Sequence, residues 1–185
     1  MKIVAVLFLF ILSSFSSEIV VNQNSNADEK MEWSASRPLT WNDFRGTPNP
    51  VADFVATTNS GISFTYSYSV RNGRQKITFE VKSYFYPNSS WYLKEDVSPY
   101  ILKHEQTHFD ISELHARKLR KRLDSATFSD NLKPEIEAIY RKLEDERKAT
   151  QDAFDRESDH SKNKSGEAKW EAYIAEQLEA YNDWQ

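Results

Sequence analysis

His104, Glu105 and His108 stand in the order His-Glu-x-x-His, and on a helix that spacing has a definite chemical meaning. Residues four apart share one face, so imidazoles on adjacent turns can converge on a single metal ion. The residue after the first histidine can then face a water on that ion. Zinc lowers the pKa of such a water towards about 7, and a neighbouring carboxylate takes its proton and passes it to a leaving group. The chemistry is metal-assisted hydrolysis of an amide, with one Zn2+ ion, His104 and His108 as ligands and Glu105 as general base. In a chain with 4 histidines among 185 residues, random placement would give only roughly 0.007 such matches.

A catalytic zinc site takes three protein ligands and leaves one position open. The chain has no cysteine, which excludes a disulfide framework, a thiolate site and a cysteine nucleophile, and leaves His, Asp or Glu as the third ligand. His115 shares the helical face of His104 and His108, but seven residues beyond His108 is about 10.5 Å of rise. On an unbroken helix it reads as a buried or boundary histidine. His160 falls in a polar stretch, 155–165, that is expected to be a loop, and loops readily carry ligands. Asp155, Asp159, Glu137 and Glu144 stay open as alternatives.

These side chains need elements to hold them. Ser98 reads as an N-cap and Pro99 as the first helical residue of a long helix over 98–125, uninterrupted by Gly or Pro. Its apolar residues Ile101, Leu102, Ile111, Leu114 and Leu119 recur at helical spacing. Asp110 departs from the apolar residue usual at that place after such a motif. A second helix is expected over 133–153, with Ile136, Ile139, Tyr140 and Leu143 along one stripe, and a third over 166–183. Upstream, residues 33–92 are rich in aromatic and β-branched side chains, with a hairpin centred on Asn72-Gly73. That turn pairs Tyr68 with Ile77, Tyr66 with Phe79 and Phe64 with Val81, so one face is apolar and the other wet. The expected fold class is α+β: an N-terminal antiparallel sheet packed on a long active-site helix, with additional C-terminal helices, a zincin-like arrangement.

Lys2, the apolar run 3–12 and the serines at 13, 14, 16 and 17 read as a signal peptide over residues 1–17, since about ten apolar residues fall short of the roughly 20 that span a bilayer. Residues 18–31 read as a polar linker and 32–185 as one domain, secreted or periplasmic, with no stable membrane insertion after cleavage. A net charge of -4 argues against nucleic acid as a partner. The basic run at 117–122 is expected to be a solvated helix face. Trp41, Asp43 and Phe44 read as core packing, and Arg156 and Tyr173 as surface residues rather than oxyanion donors.

Several stretches together resemble a known family: Leu39-Thr40-Trp41-Asn42-Asp43-Phe44-Arg45-Gly46-Thr47-Pro48, Ala56-Thr57-Thr58, Ser60-Gly61-Ile62, Ser90-Trp91, and the block from Leu102 to Ile111 continuing through Glu113, Ala116 and Arg117. The family is the bacterial domain of unknown function 922, whose members are regarded as secreted or periplasmic zinc-dependent proteases on the strength of the motif. Its Tyr-Asp-x-x-Thr-x-His-Gly pattern lands on residues 154–161. His160 and Asp155 keep their places, while Phe154, Ser158 and Ser161 replace the Tyr, Thr and Gly. The resemblance implies His160 as third zinc ligand, with Asp155 as the fallback ligand or a partner orienting an imidazole. It also implies that a tyrosine hydroxyl able to donate to an oxyanion is missing here. The function expected is an exported metalloprotease acting on a peptide or protein substrate. A zinc amidase acting on cell-wall peptide and a non-catalytic zinc-binding envelope protein are the alternatives.

Overall fold

A computed structural model describes residues 29–49, 51, 52, 54–72 and 74–185. In chain order its elements are β1 (Met31–Glu32), β2 (Ala56–Thr57), β3 (Ser60–Arg71), β4 (Arg74–Phe85), β5 (Trp91–Tyr92), α1 (Pro99–Ser125), α2 (Leu132–Ser158) and α3 (Lys164–Ala180), with short 3-10 turns at Trp41–Asp43, Pro87–Ser89 and Asn182–Trp184. The expected signal peptide, most of the expected linker and Gly73 of the hairpin turn lie outside the described residues. Among the described residues no helix is long and apolar enough to cross a membrane.

Strict alternation in β3 and β4 fixes how the hairpin pairs. Tyr68 lies opposite Ile77, Tyr66 opposite Phe79 and Phe64 opposite Val81, the register in which every large apolar side chain falls on one face. Asn72, at φ 51, takes the left-handed conformation that a two-residue hairpin turn asks of its first residue. β1 adds to the far end of β4, giving the order β1-β4-β3, and β2 pairs with β5 in a separate two-stranded ribbon. Met31, the last residue of the expected linker, therefore belongs to the sheet, opposite Phe85.

The apolar face of the hairpin is covered by two helices. Ile62, Phe64, Tyr66 and Val81 pack on Ala116, Leu119 and Leu123 of α1 and on Ile136, Tyr140 and Leu143 of α2. The fold is thus α+β, a small antiparallel sheet with three helices. A second cluster joins Leu39, Phe44 and Phe85 to Phe109 of α1. Trp41, Asp43 and Phe44 serve packing: Phe44 meets the edge of Phe85, Trp41 stacks on Tyr92, and buried Asp43 accepts from Arg37 and from the Thr40 amide.

Covered on several sides, α1 must satisfy its polar residues internally. The carboxylate of Asp110 accepts from the Trp33 indole at 2.8 Å and from Gln106 at 2.7 Å, which explains a charged residue where an apolar one was expected. Burial nonetheless pushes the Asp110 carboxyl up. The basic run does not form the expected solvated face. Arg117 is buried, bonded to Glu113 at 2.9 Å and to the Leu178 carbonyl at 2.7 Å, and Arg120 reaches Glu113 and the carbonyls of Val81 and Trp184. These two guanidiniums tie α1 to β4 and to the C-terminal segment, a use that helical spacing alone cannot show.

α2 runs to Ser158, five residues past its expected end, because Phe154 is fully buried among Ile111, Leu114 and Ile174 and holds the extra turn against α1 and α3. Asp155 therefore sits on a helix, not in a loop. α3 follows closely, capped by the Asn163 side chain on the Gly166 amide. A Cβ at Gly166 would lie 2.2 Å from the Glu157 carbonyl oxygen, so the close approach of α3 to the end of α2 requires glycine there.

His115 is buried between α1 and α2, with Nδ1 2.8 Å from the Ile111 carbonyl and Nε2 3.4 Å from the Thr150 hydroxyl. Burial holds its pKa down at about 4, against an ordinary 6.5. Between those values the unfolded chain binds the proton and the folded chain does not, so stability falls as pH drops from about 6.5 to about 4. On the order of 3 kcal/mol should be lost over that interval through this group. Urea unfolding of wild type and His115→Asn at pH 7 and pH 4.5 checks it: the variant, although weaker at pH 7, should lose markedly less stability on acidification.

Candidate metal centre

Three ligand atoms from two helices meet at the floor of a cavity. His104 and His108 lie on adjacent turns of α1, their Nε2 atoms 3.1 Å apart, and Asp155 in the last turn of α2 places Oδ1 3.3 Å from the first and 3.0 Å from the second. They form the group of metal-ligating side chains found among the described residues. Tetrahedral zinc with bonds of about 2.0–2.1 Å sets its ligand atoms about 3.4 Å apart. The observed separations are within a few tenths of an ångström of that.

The far sides of both imidazoles determine what faces the centre. Gln151, one turn before Asp155 on α2, donates through Nε2 to the His108 carbonyl at 2.9 Å, and this turns its Oε1 onto His108 Nδ1. An acceptor there places a proton on Nδ1, and in the neutral ring this leaves the lone pair on Nε2. His104 Nδ1 faces Oε1 of Glu167, a wholly buried residue of α3, at 3.5 Å, and neither atom has another partner. The other oxygen of Glu167 accepts from the Tyr100 hydroxyl at 3.0 Å. Phe154 stacks on the His104 ring at 4.5 Å and meets His108 edge-on at 5.0 Å. Two imidazole nitrogens and a carboxylate oxygen thus converge, a donor set and spacing that could hold a metal ion.

Opposite charge draws the same groups together. Burial alone would lower His108, but Asp155, Glu105 and Gln151 raise it above its ordinary value. Burial would raise Asp155, and the two imidazoles hold it far below the carboxylate range. Beside this group lies Glu105, buried, with Oε2 lacking any protein partner. Its backbone carbonyl is held by the Thr58 hydroxyl at 3.1 Å, which ties the motif to the chain leaving β2. His104, Glu105, His108 and Asp155 all line one cavity of about 690 Å³.

A family model described as "bacterial protein of unknown function (DUF922)" matches residues 39–161. The chain belongs to that family. The matched span contains His104, Glu105, His108, Gln151, Asp155 and His160 of this DUF922 protein, whereas Glu167 lies beyond it. No curated protein and no solved structure matches the chain.

His160 is not in the three-atom group. It lies beside it on the cavity rim, its side chain 50% exposed, with Nδ1 3.7 Å from Asp155 Oδ1. It belongs to a tight turn in which Asp159, His160 and Ser161 have φ of 48, 48 and 70. The backbone amide of His160 donates a hydrogen bond to the Asp155 carbonyl and that of Asn163 to the Ser158 carbonyl, and these hold the turn. The DUF922 pattern quoted above has glycine where this chain has Ser161, and glycine is the residue a left-handed position favours. Phe154, in the pattern's tyrosine place, is core and packs behind the histidines. Of the other candidates, Glu144 pairs with Arg147, Glu137 with Lys133 and Arg141, and exposed Arg156 with Glu157. Tyr173 packs on Trp170 away from the cavity. Gln151 and Glu167 went unnoticed in the sequence. Gln151 lies at i-4 from Asp155, a signal that requires α2 to extend past 153; Glu167 carries no local signal.

Two outcomes are expected. One equivalent of zinc, measured by elemental analysis, should be lost in His104→Ala and Asp155→Ala and kept in His160→Ala. Gln151→Leu and Glu167→Gln should each weaken zinc about 10–100-fold in competition with a chromophoric chelator. Separately, Ser161→Gly should raise stability to urea by about 1 kcal/mol, by relieving one left-handed non-glycine residue.

Proposed function

We propose that this protein is an exported zinc-dependent metallopeptidase of zincin-like design, with His104, His108 and Asp155 as zinc ligands and Glu105 as general base. The observation that carries the reading is the convergence of three metal-ligating atoms beside the buried, unpartnered Oε2 of Glu105. Zinc binding alone does not require a carboxylate at that place; proton transfer does. When bound, zinc would polarise a substrate carbonyl and make a water nucleophilic near neutral pH.

The protein's own groups divide the remaining work. Glu105 takes the proton of the attacking water and delivers it to the leaving amine. Gln151 and Glu167 keep the imidazoles in one tautomer and one orientation, so that no reorganisation accompanies the reaction. Phe154 and the cores of α1, α2 and α3 exclude water from behind the ligands. The cavity of about 690 Å³ falls in the range of volumes that enclose a small ligand or a short peptide segment. Export rests on the charged, apolar and small-residue order of residues 1–17.

A second reading, a structural metal in a non-catalytic envelope protein, is favoured by the nearness of His160 to Asp155, since a fourth protein ligand would close the site. One variant separates the two. Glu105→Gln should retain its zinc and lose hydrolysis of a mixed peptide library by about 100-fold or more. Full activity in that variant refutes the mechanism. Failure of zinc-loaded wild type to cut any peptide, with folding lost on chelation, favours the structural metal.

A further inference from the structure

Among the described residues, large apolar side chains are well exposed at four positions, Val51, Phe54, Val70 and Tyr173, and of these only Phe54 lines the cavity of the metal centre. It is 40% exposed, yet it is not a loosely held surface residue. The Trp91 ring of β5 stacks on it at 5.6 Å and 24°, and the His160 ring lies parallel at 6.4 Å and 27°. The amide of Leu93 donates to the carbonyl of Val55 at 2.7 Å, which fixes the neighbouring backbone to the end of β5. On the opposite side, the left-handed turn fixes His160. A row of three rings therefore runs from the β2–β5 ribbon to the α2–α3 turn, and two of them, Phe54 and His160, line the cavity. One ring beyond Phe54 stands Asp155, 3.7 Å from the His160 imidazole.

We infer that Phe54, backed by Trp91 and His160, is the specificity-determining surface of the site, and that it takes an aromatic or large aliphatic side chain flanking the substrate bond that is cleaved. The inference rests on the peptidase reading for the bond, and on the ring geometry for the side chain. Exposed aromatic area beside a site is covered most favourably by another apolar group, and the exposed part of the Phe54 ring can take an edge-to-face ring or an aliphatic chain. Tyr100 and Ile101 line the same cavity and extend the apolar contact.

The test uses zinc-loaded wild type, Phe54→Ala and Phe54→Leu, with two readouts. Binding of the capped tripeptides acetyl-Gly-Phe-Gly-amide and acetyl-Gly-Ala-Gly-amide is followed by NMR at the Trp91 indole N–H, and cleavage sites in a mixed peptide library are read by mass spectrometry. The phenylalanine peptide should shift the Trp91 signal and bind about tenfold tighter than the alanine peptide. Phe54→Ala should abolish that preference with zinc content unchanged, and Phe54→Leu should retain most of it. Cleavage sites should be enriched in Phe, Tyr, Leu and Met beside the cut. Equal binding of the two peptides, a preference that survives Phe54→Ala, or a Trp91 response to tri-N-acetylglucosamine alone overturns the inference. A preference that depends on Phe54 without any cleavage overturns the peptidase reading instead, and cleavage without preference leaves that reading intact while this one fails.

Discussion

The burial of Phe154 is the contact on which the site depends. Its ring fills the space between Ile111 and Leu114 of α1 and Ile174 of α3, and its other surface lies flat against His104. One side chain thereby carries α2 helical past the point where its charged sequence would be expected to stop, and delivers the next residue, Asp155, to the two Nε2 atoms. One turn earlier the same helix face presents Gln151, which grips His108 at both its carbonyl and its ring. Removing the ring would leave a cavity in the core, the kind of defect that costs about 3–5 kcal/mol. It would also free the turn that carries the carboxylate.

A second consequence of the packing is that α1 is a polar helix in a buried place. Glu113, Arg117, Asp110, His104 and Glu105 are all largely or wholly removed from water, and each finds a specific use. Glu113 accepts from Ser83 at 2.6 Å and from two arginines, so sheet, helix and C-terminal segment are joined through one carboxylate. Breaking one member of such a network leaves another buried and uncompensated, which is why partial networks are more harmful than none. Glu105 keeps one buried oxygen without any protein partner, and it lines the cavity.

The hairpin and α1 were legible in the sequence because their signals are local. Period-two alternation around Asn72-Gly73 specified the register, and Ser98-Pro99 marked the start of the helix. The two histidines and Glu105 were legible because four-residue spacing on a helix is itself a geometry. What was not legible came from contacts distant in sequence. The end of α2 is set by Phe154 meeting residues of α1 and α3, so the local sequence suggests a loop at Asp155 and gives Gln151 no distinguishing signal. Arg117 and Arg120 look like surface charge until β4 and residues 178–184 are placed against them. Glu167 lies 63 positions after His104 and nothing near it in the chain announces that it faces an imidazole.

The meeting of His104 with Glu167 has a meaning beyond the orientation of one ring. Ligands come from α1 and α2, and their supports from α2 and α3, so any ion held there engages all three helices at once. Such an ion acts as a cross-link that exists only in the folded chain, and the free energy of holding it is added to that of folding. The fold would then have two stability regimes, one of the polypeptide alone and one of the polypeptide with its ion, and the supply of metal in the surroundings would select between them. In that sense an ion held there would couple the mechanical integrity of the molecule to the composition of its environment.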